Sequence, residues 1–168
     1  MGVAQGVFEL CQNLHLQDLN IELHIFGDGA EKNQIQDLID KNINSKIFFY
    51  GMLERSHLHL KLKSMDIAIV PLKTRIYGSV PSKIFEYGAL GFPILYCGGG
   101  EGGKIVADNN LGWVATAGDY VELNNQIRTI AQLDQKEIFE LKNKVFKTSK
   151  AVFDLDKQIR YLINEQVF

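Results

Sequence analysis

Tyr77-Gly-Ser-Val-Pro-Ser-Lys-Ile-Phe-Glu-Tyr-Gly-Ala-Leu-Gly-Phe-Pro93 lies between two apolar runs, Asp66-Ile-Ala-Ile-Val-Pro71 before it and Pro93-Ile-Leu-Tyr-Cys97 after it. That order reads as strand, loop, helix, strand. Pro81 suits a first helical turn, where its missing N–H would have no partner anyway. Gly78, Ser79 and Val80, with Ser82 just beyond, then present main-chain N–H groups at a helix start. Such an end carries partial positive charge and unpaired donors, which suits an anion. Lys83 and Glu86 are three apart and share one helix face. A cation beside a phosphate and a carboxylate for ribose hydroxyls is what a nucleotide diphosphate requires. The same residues also fit an ordinary loop-to-helix junction with a solvated lysine and glutamate, and spacing alone does not separate the two readings.

The flanking chain repeats the alternation of strand and helix. Val3, Val7, Leu10, Cys11 and Leu14 recur at helical spacing. Ile21–Phe26 alternates as a strand and ends in Gly27-Asp-Gly29, a pattern found more often in a turn than in a phosphate loop. A helix is expected over Glu31–Asn42, a strand over Ser45–Tyr50 with Gly51-Met-Leu53 as its exit, and a helix over Glu54–Ser64. The run 66–70 is continuous and apolar, as in a strand covered on both faces. Lys73 and Arg75 in the loop after it suit either diphosphate screening or plain solvation. Gly98-Gly-Gly-Glu-Gly-Gly103 lacks the Gly-Lys-Ser/Thr ending of a P-loop. Glu101 reads as a first-turn acid, and Lys104–Asn109 as a short helix. Leu111–Ala115 is a last strand, with Trp113 in the core. Asp119–Leu133 is a helix, and Asp134 with Glu137 forms a capping box for the next one. Glu140 and Lys144 suit an i,i+4 pair. A final helix over 156–167 carries Ile159, Leu162 and Ile163. The whole is predicted as one α/β domain over 1–168, a Rossmann-like, doubly wound parallel sheet with helices on both faces.

Composition narrows the function classes. With 168 residues, 46% hydrophobic and 23% charged, the chain can build a real core. A net charge of −2 argues against nucleic acid as a partner. Cys11 and Cys97 have no metal-ligand spacing, and the histidines are scattered, so no metal is expected. No apolar run reaches the length of a membrane span and no signal peptide is evident, so a cytoplasmic location is expected.

Gly78-Ser-Val-Pro-Ser-Lys-Ile-Phe-Glu-Tyr-Gly-Ala-Leu-Gly-Phe-Pro-Ile94 resembles the donor-site motif of GT-B glycosyltransferases, most closely family 4 and its bacterial surface-polysaccharide members. The resemblance implies a UDP- or GDP-sugar donor, transfer with retention of anomeric configuration, and no metal or other cofactor. It gives Lys83 and Glu86 the catalytic roles: Lys83 stabilises the leaving diphosphate with the donors at Ser79 and Val80, and Glu86 holds the ribose. Many members carry a further glutamate where this chain has Gly78. Gly27 and Gly29 would border the donor cleft, with Tyr50, Gly51 and Leu53 at the base and Gly99 or Gly100 near the sugar. An acceptor domain on the amino-terminal side is the implied partner, the full enzyme sitting at the inner membrane face. The chain alone would bind nucleotide weakly without turnover, and exposed apolar surface on its last helix would favour self-association. The first strand of the family domain would lie before Gly2. Its place would be filled by direct pairing of the neighbouring strands or by a strand from a second copy. Two alternatives share the architecture or the composition: half of a GT-B sugar-nucleotide epimerase, and a non-catalytic α/β module that binds a partner protein.

Overall fold

The computed structural model describes residues 5–41, 45–75 and 77–154. In chain order the elements are α1 (Val7–Asn13), β1 (Leu23–Ile25), α2 (Lys32–Asp40), β2 (Ile47–Phe49), α3 (Arg55–Leu62), β3 (Ala68–Pro71), α4 (Lys83–Ala89), β4 (Ile94–Cys97), α5 (Gly100–Asp108), β5 (Gly112–Ala115), α6 (Tyr120–Ile130) and α7 (Gln135–Val152). Every strand pairing is parallel, so each strand is followed by a helical crossover, as the alternating pattern requires. Helices cover both faces. On β4, Leu95 and Cys97 enter a core with Leu10 and Cys11 of α1 and Leu123 and Ile127 of α6. Ile94 and Tyr96 enter another with Ile84 of α4, Val106 of α5 and Val145 of α7. This two-sided burial makes β4 apolar throughout.

The expected single sheet is divided. β1 pairs only with β2, in register Leu23↔Ile47, while β3, β4 and β5 form a separate three-stranded sheet in that order. The expected alternative of direct pairing between β1 and β3 does not occur among the described residues. One core cluster nevertheless joins the two sheets, since Ile25 and Ile47 share it with Leu95 and Ala115. A cleft of about 480 Å³ lies between β1 and β3.

Several boundaries differ from expectation. α4 begins at Lys83 with Ser82 as its N-cap, so Pro81 precedes the helix and contributes only its carbonyl, which accepts from Ile84 N–H at 3.1 Å. α5 begins at Gly100, four residues before Lys104, because the glycine run packs on the Tyr96 ring. A Cβ at Gly98 or Gly102 would stand 2.5 or 2.6 Å from the Tyr96 hydroxyl. Glu140 pairs backward with Lys136 at 4.0 Å and not with Lys144. The Asp134–Glu137 capping box forms with both bonds at 2.8 Å, and Asp119 caps α6 through the N–H groups of Val121 and Glu122. Val3 and the helix expected over 156–167 fall outside the described residues. Among the described residues no helix is long and apolar enough to cross a membrane.

Candidate functional site

The loops at the carboxyl ends of the strands carry the candidate residues, the edge at which open parallel sheets present ligand-binding loops. They form two groups. The first sits beyond β3 and leads into α4. Gly78 takes a left-handed conformation, φ 68°, and nothing lies within 4 Å of where its Cβ would be. The turn releases the N–H groups of Ser79, Val80, Ser82 and Lys83, which have no acceptor among the described residues, and Pro81 has none to give. Gly78, Ser79, Ser82, Lys83 and Glu86 are exposed, while Val80 and Pro81 are half-buried, with Val80 packed on the second core.

Within this group the charged pair is closed on itself. Lys83 Nζ donates to Glu86 Oε2 at 2.5 Å, and Ser82 Oγ donates to Glu86 Oε1 at 2.9 Å. The hydrogen bond to Glu86 raises the Lys83 pKa, and the bonds from Lys83 and then Ser82 lower that of Glu86. One ammonium and one carboxylate are thus held ionised on the first turn of α4. The Arg75 guanidinium lies 4.6 Å from the Tyr77 ring centroid and crowds the start of α5, with Nε 2.8 Å from the Cβ position of Gly100. Arg75 makes no ion pair among the described residues. Gly99, φ 59°, has open space where a side chain would be.

The second group lies beyond β1 and β2. Gly27 N–H donates to the Gly51 carbonyl at 2.7 Å, joining two of the expected residues. Gly27 and Gly51 adopt φ 120° and 64°, and Gly29 φ 157°, with Gly29 N–H held by the Asp28 carboxylate at 2.8 Å. Leu53 is half-buried nearby in the same exit turn. Tyr50 is stacked on Phe26 and His24, its hydroxyl 3.0 Å from His24 Nδ1, with Lys61 over its ring at 4.7 Å. Its ring is therefore a fixed part of this edge.

One cluster had no signal in the sequence. Lys73 Nζ pairs with Glu9 of α1 at 2.8 Å. Phe8 N–H donates to Glu31 at 3.1 Å. Lys73 is thus engaged with α1, and its pKa is raised by the hydrogen bond to Glu9. These partners are far apart in the chain, and no local pattern joins them.

Comparison with known proteins bears on what this edge does. The family model described as glycosyl transferases group 1 matches residues 4–132, well over half of the chain. The chain is similar to the probable glycosyltransferase WbjE of Pseudomonas aeruginosa, 26% identical over 138 residues, covering 80% of this chain and 34% of that protein. It therefore spans about a third of the length of that curated relative. Among solved structures it superimposes on Anabaena Alr3699/HepE in complex with UDP and glucose with a TM-score of 0.71 at 17% identity, over 96% of this chain and 45% of that one. It also superimposes on the C-terminal domain of the group 1 glycosyl transferase LpcC from Francisella tularensis, with a TM-score of 0.68 at 12% identity, over 91% and 83%. The parallel strands, the interleaved helices and the match over 4–132 lead to one conclusion: the chain belongs to the group 1 glycosyl transferases and has the fold of their C-terminal, GT-B domain.

Proposed function

We propose that the carboxyl edge of this domain binds a nucleotide diphosphate sugar and that, joined to an acceptor-binding domain, it transfers the sugar with retention in polysaccharide synthesis. Family membership carries this reading, and the N–H groups between Gly78 and Lys83, which have no acceptor among the described residues, supply its chemistry. Breaking the bond between sugar and diphosphate leaves negative charge on the diphosphate oxygens. Donors already fixed at Ser79, Val80, Ser82 and Lys83 stabilise that charge without reorganising at the moment of reaction. The Lys83 ammonium adds a full positive charge beside them. Glu86, ionised and one turn further, accepts from ribose hydroxyls and so fixes the reacting carbon. Gly27, Gly29, Gly51 and Leu53 border the base from the second sheet, with Tyr50 as a rigid wall, while Arg75 and Gly99 stand on the sugar side. No metal is required by this arrangement. The domain works on the cytoplasmic face of the membrane, and by itself binds nucleotide weakly and does not turn over.

Titration calorimetry of the folded chain with UDP, GDP and their sugars tests the proposal. Saturable binding of one nucleoside diphosphate, and none of the bare nucleoside at equal concentration, is the expected result. Absence of heat for every nucleotide at millimolar concentration, with the fold intact by circular dichroism, sinks it.

A further inference from the structure

Tyr96 is only 2% exposed, yet its hydroxyl makes no hydrogen bond among the described residues. The ring runs from β4 under the glycine run. Its hydroxyl ends against Gly98 and Gly102, 2.5 and 2.6 Å from where their Cβ atoms would stand. Burial raises the Tyr96 pKa, so the group stays a hydroxyl and can donate. A polar group this deep without a partner points to a ligand that would satisfy it. In the same first turn of α5, the N–H groups of Gly100, Glu101 and Gly102 have no acceptor among the described residues, and no side chain caps them. Gly99, φ 59°, leaves open space where a side chain would stand, so a ligand can approach this bare main chain. Arg75 Nε lies 2.8 Å from the Cβ position of Gly100, and the guanidinium makes no ion pair among the described residues. Its Cζ is 4.6 Å from the centroid of the Tyr77 ring, beside the Gly78 turn, so one side chain spans from that turn to α5.

We propose, resting on the nucleotide-sugar reading of this edge, that the start of α5 is a carboxylate subsite and that the donor sugar is an acidic one, a uronic acid. Arg75, the first-turn N–H groups and the Tyr96 hydroxyl hold its carboxylate. The chemistry follows from what this corner offers, which is hydrogen-bond donors. A sugar hydroxyl both donates and accepts, whereas a carboxylate only accepts, through two oxygens that match the guanidinium fork. The start of α5, a helix of nine residues, adds partial positive charge that favours an anion. The place follows from Arg75. A diphosphate on the Gly78–Lys83 turn leaves its sugar on the side toward Arg75 and α5. The diphosphate itself is a poorer occupant, because that turn already supplies it with N–H donors and the Lys83 ammonium. Glu101 stands in the same first turn, exposed and without an ion pair to Arg75 among the described residues. Its charge opposes an anion and so limits the affinity.

Titration calorimetry of the 168-residue chain with UDP-glucose, UDP-glucuronate, GDP-mannose and GDP-mannuronate tests this. For the base that binds, the acidic sugar nucleotide should bind about tenfold tighter than its neutral counterpart. The gap should shrink as salt rises. Arg75→Gln should close it, and Tyr96→Phe, which keeps the ring under the glycines, should narrow it. Glu101→Gln should widen it. Equal binding of the two sugars, or a preference for the neutral one, overturns the carboxylate subsite and leaves the nucleotide reading standing. So does an Arg75→Gln variant that weakens both sugar nucleotides by the same factor, because Arg75 then serves the diphosphate. A gap that narrows in Glu101→Gln also overturns it, by making Glu101 the acceptor for sugar hydroxyls. If no nucleotide binds, the nucleotide reading fails and the subsite falls with it. Should Tyr96→Phe not fold, judged by circular dichroism, Arg75→Gln at its exposed position decides alone.

Discussion

Lys83 and Glu86 hold each other on the first turn of α4, and that pairing shapes how their removal should read. Lys83→Ala removes a cation and also leaves the Glu86 carboxylate uncompensated beside the proposed diphosphate. It should weaken UDP or GDP binding by about tenfold or more, roughly 1.4 kcal/mol. Lys83→Ala with Glu86→Ala should recover part of that loss for inorganic pyrophosphate, which has no ribose to lose. Calorimetry on the four proteins of the cycle, Glu86→Ala alone included, checks this, and additive losses for pyrophosphate would show that the pair does not act as a unit. A second residue-scale prediction concerns alkali. Burial pushes the thiols of Cys11 and Cys97 and the Tyr120 hydroxyl up to about 12. Each folded-state value lies above its unfolded one, so the associated stability is present below pH 9 and is lost as pH rises toward 12. Urea unfolding between pH 8 and 11 should show a steep decline that Cys11→Ala with Cys97→Ala makes shallower; an unchanged slope would refute the assignment. The i,i+3 spacing made the Lys83–Glu86 pair legible in the sequence. The Glu9–Lys73 contact was not, because only the packing of α1 against the loop after β3 brings those side chains together.

At the scale of elements, hydrophobic period and capping chemistry carried most of the reading. The four-residue run of β4 and the Asp134–Glu137 box are local signals, and both appear where their residues stand. Glu101 stands in the first turn of α5, as read, but the helix was expected to begin only at Lys104 because glycine has low helix propensity. A distant requirement overrides that propensity: the Tyr96 ring occupies the space that side chains at positions 98 and 102 would need. Gly112 is a stronger case of the same kind. Its φ is 150°, and a Cβ would fall 2.1 Å from the Ile94 carbonyl oxygen, inside the β4–β5 ladder. Main chain cannot give way as a flexible side chain can, so Gly112→Ala should cost about 3 kcal/mol or more. Asp134→Ala, which removes only a cap on an exposed helix start, should cost about 1 kcal/mol. Urea midpoints at constant m-value measure both, and a Gly112→Ala cost no larger than the cap's would contradict the strand geometry.

The molecule as a whole is built from two hydrogen-bonded sheets that share a core, and the division should govern how it opens. The fold class was legible from the alternation of strands and helices, but a break in a sheet leaves no local trace, because each strand keeps its own apolar pattern whether or not a neighbour is present. Its consequences are physical. β4 is buried at all four positions and flanked by strands on both sides. β1 and β2 have one partner each, and α3, which follows them, buries no residue. Opening the β1–β2 unit therefore exposes less apolar surface and breaks no ladder to β3. It should occur at a lower free energy than global unfolding, as a separate cooperative step. Native-state hydrogen exchange at rising sub-denaturing urea should place the amides of Ile25 and Phe48 on a shallow isotherm of low free energy. Those of Leu95 and Cys97 should merge with the global isotherm. If the β1–β2 amides exchange only through the global event, the shared core alone binds the two sheets into one cooperative unit and the cleft carries no energetic boundary.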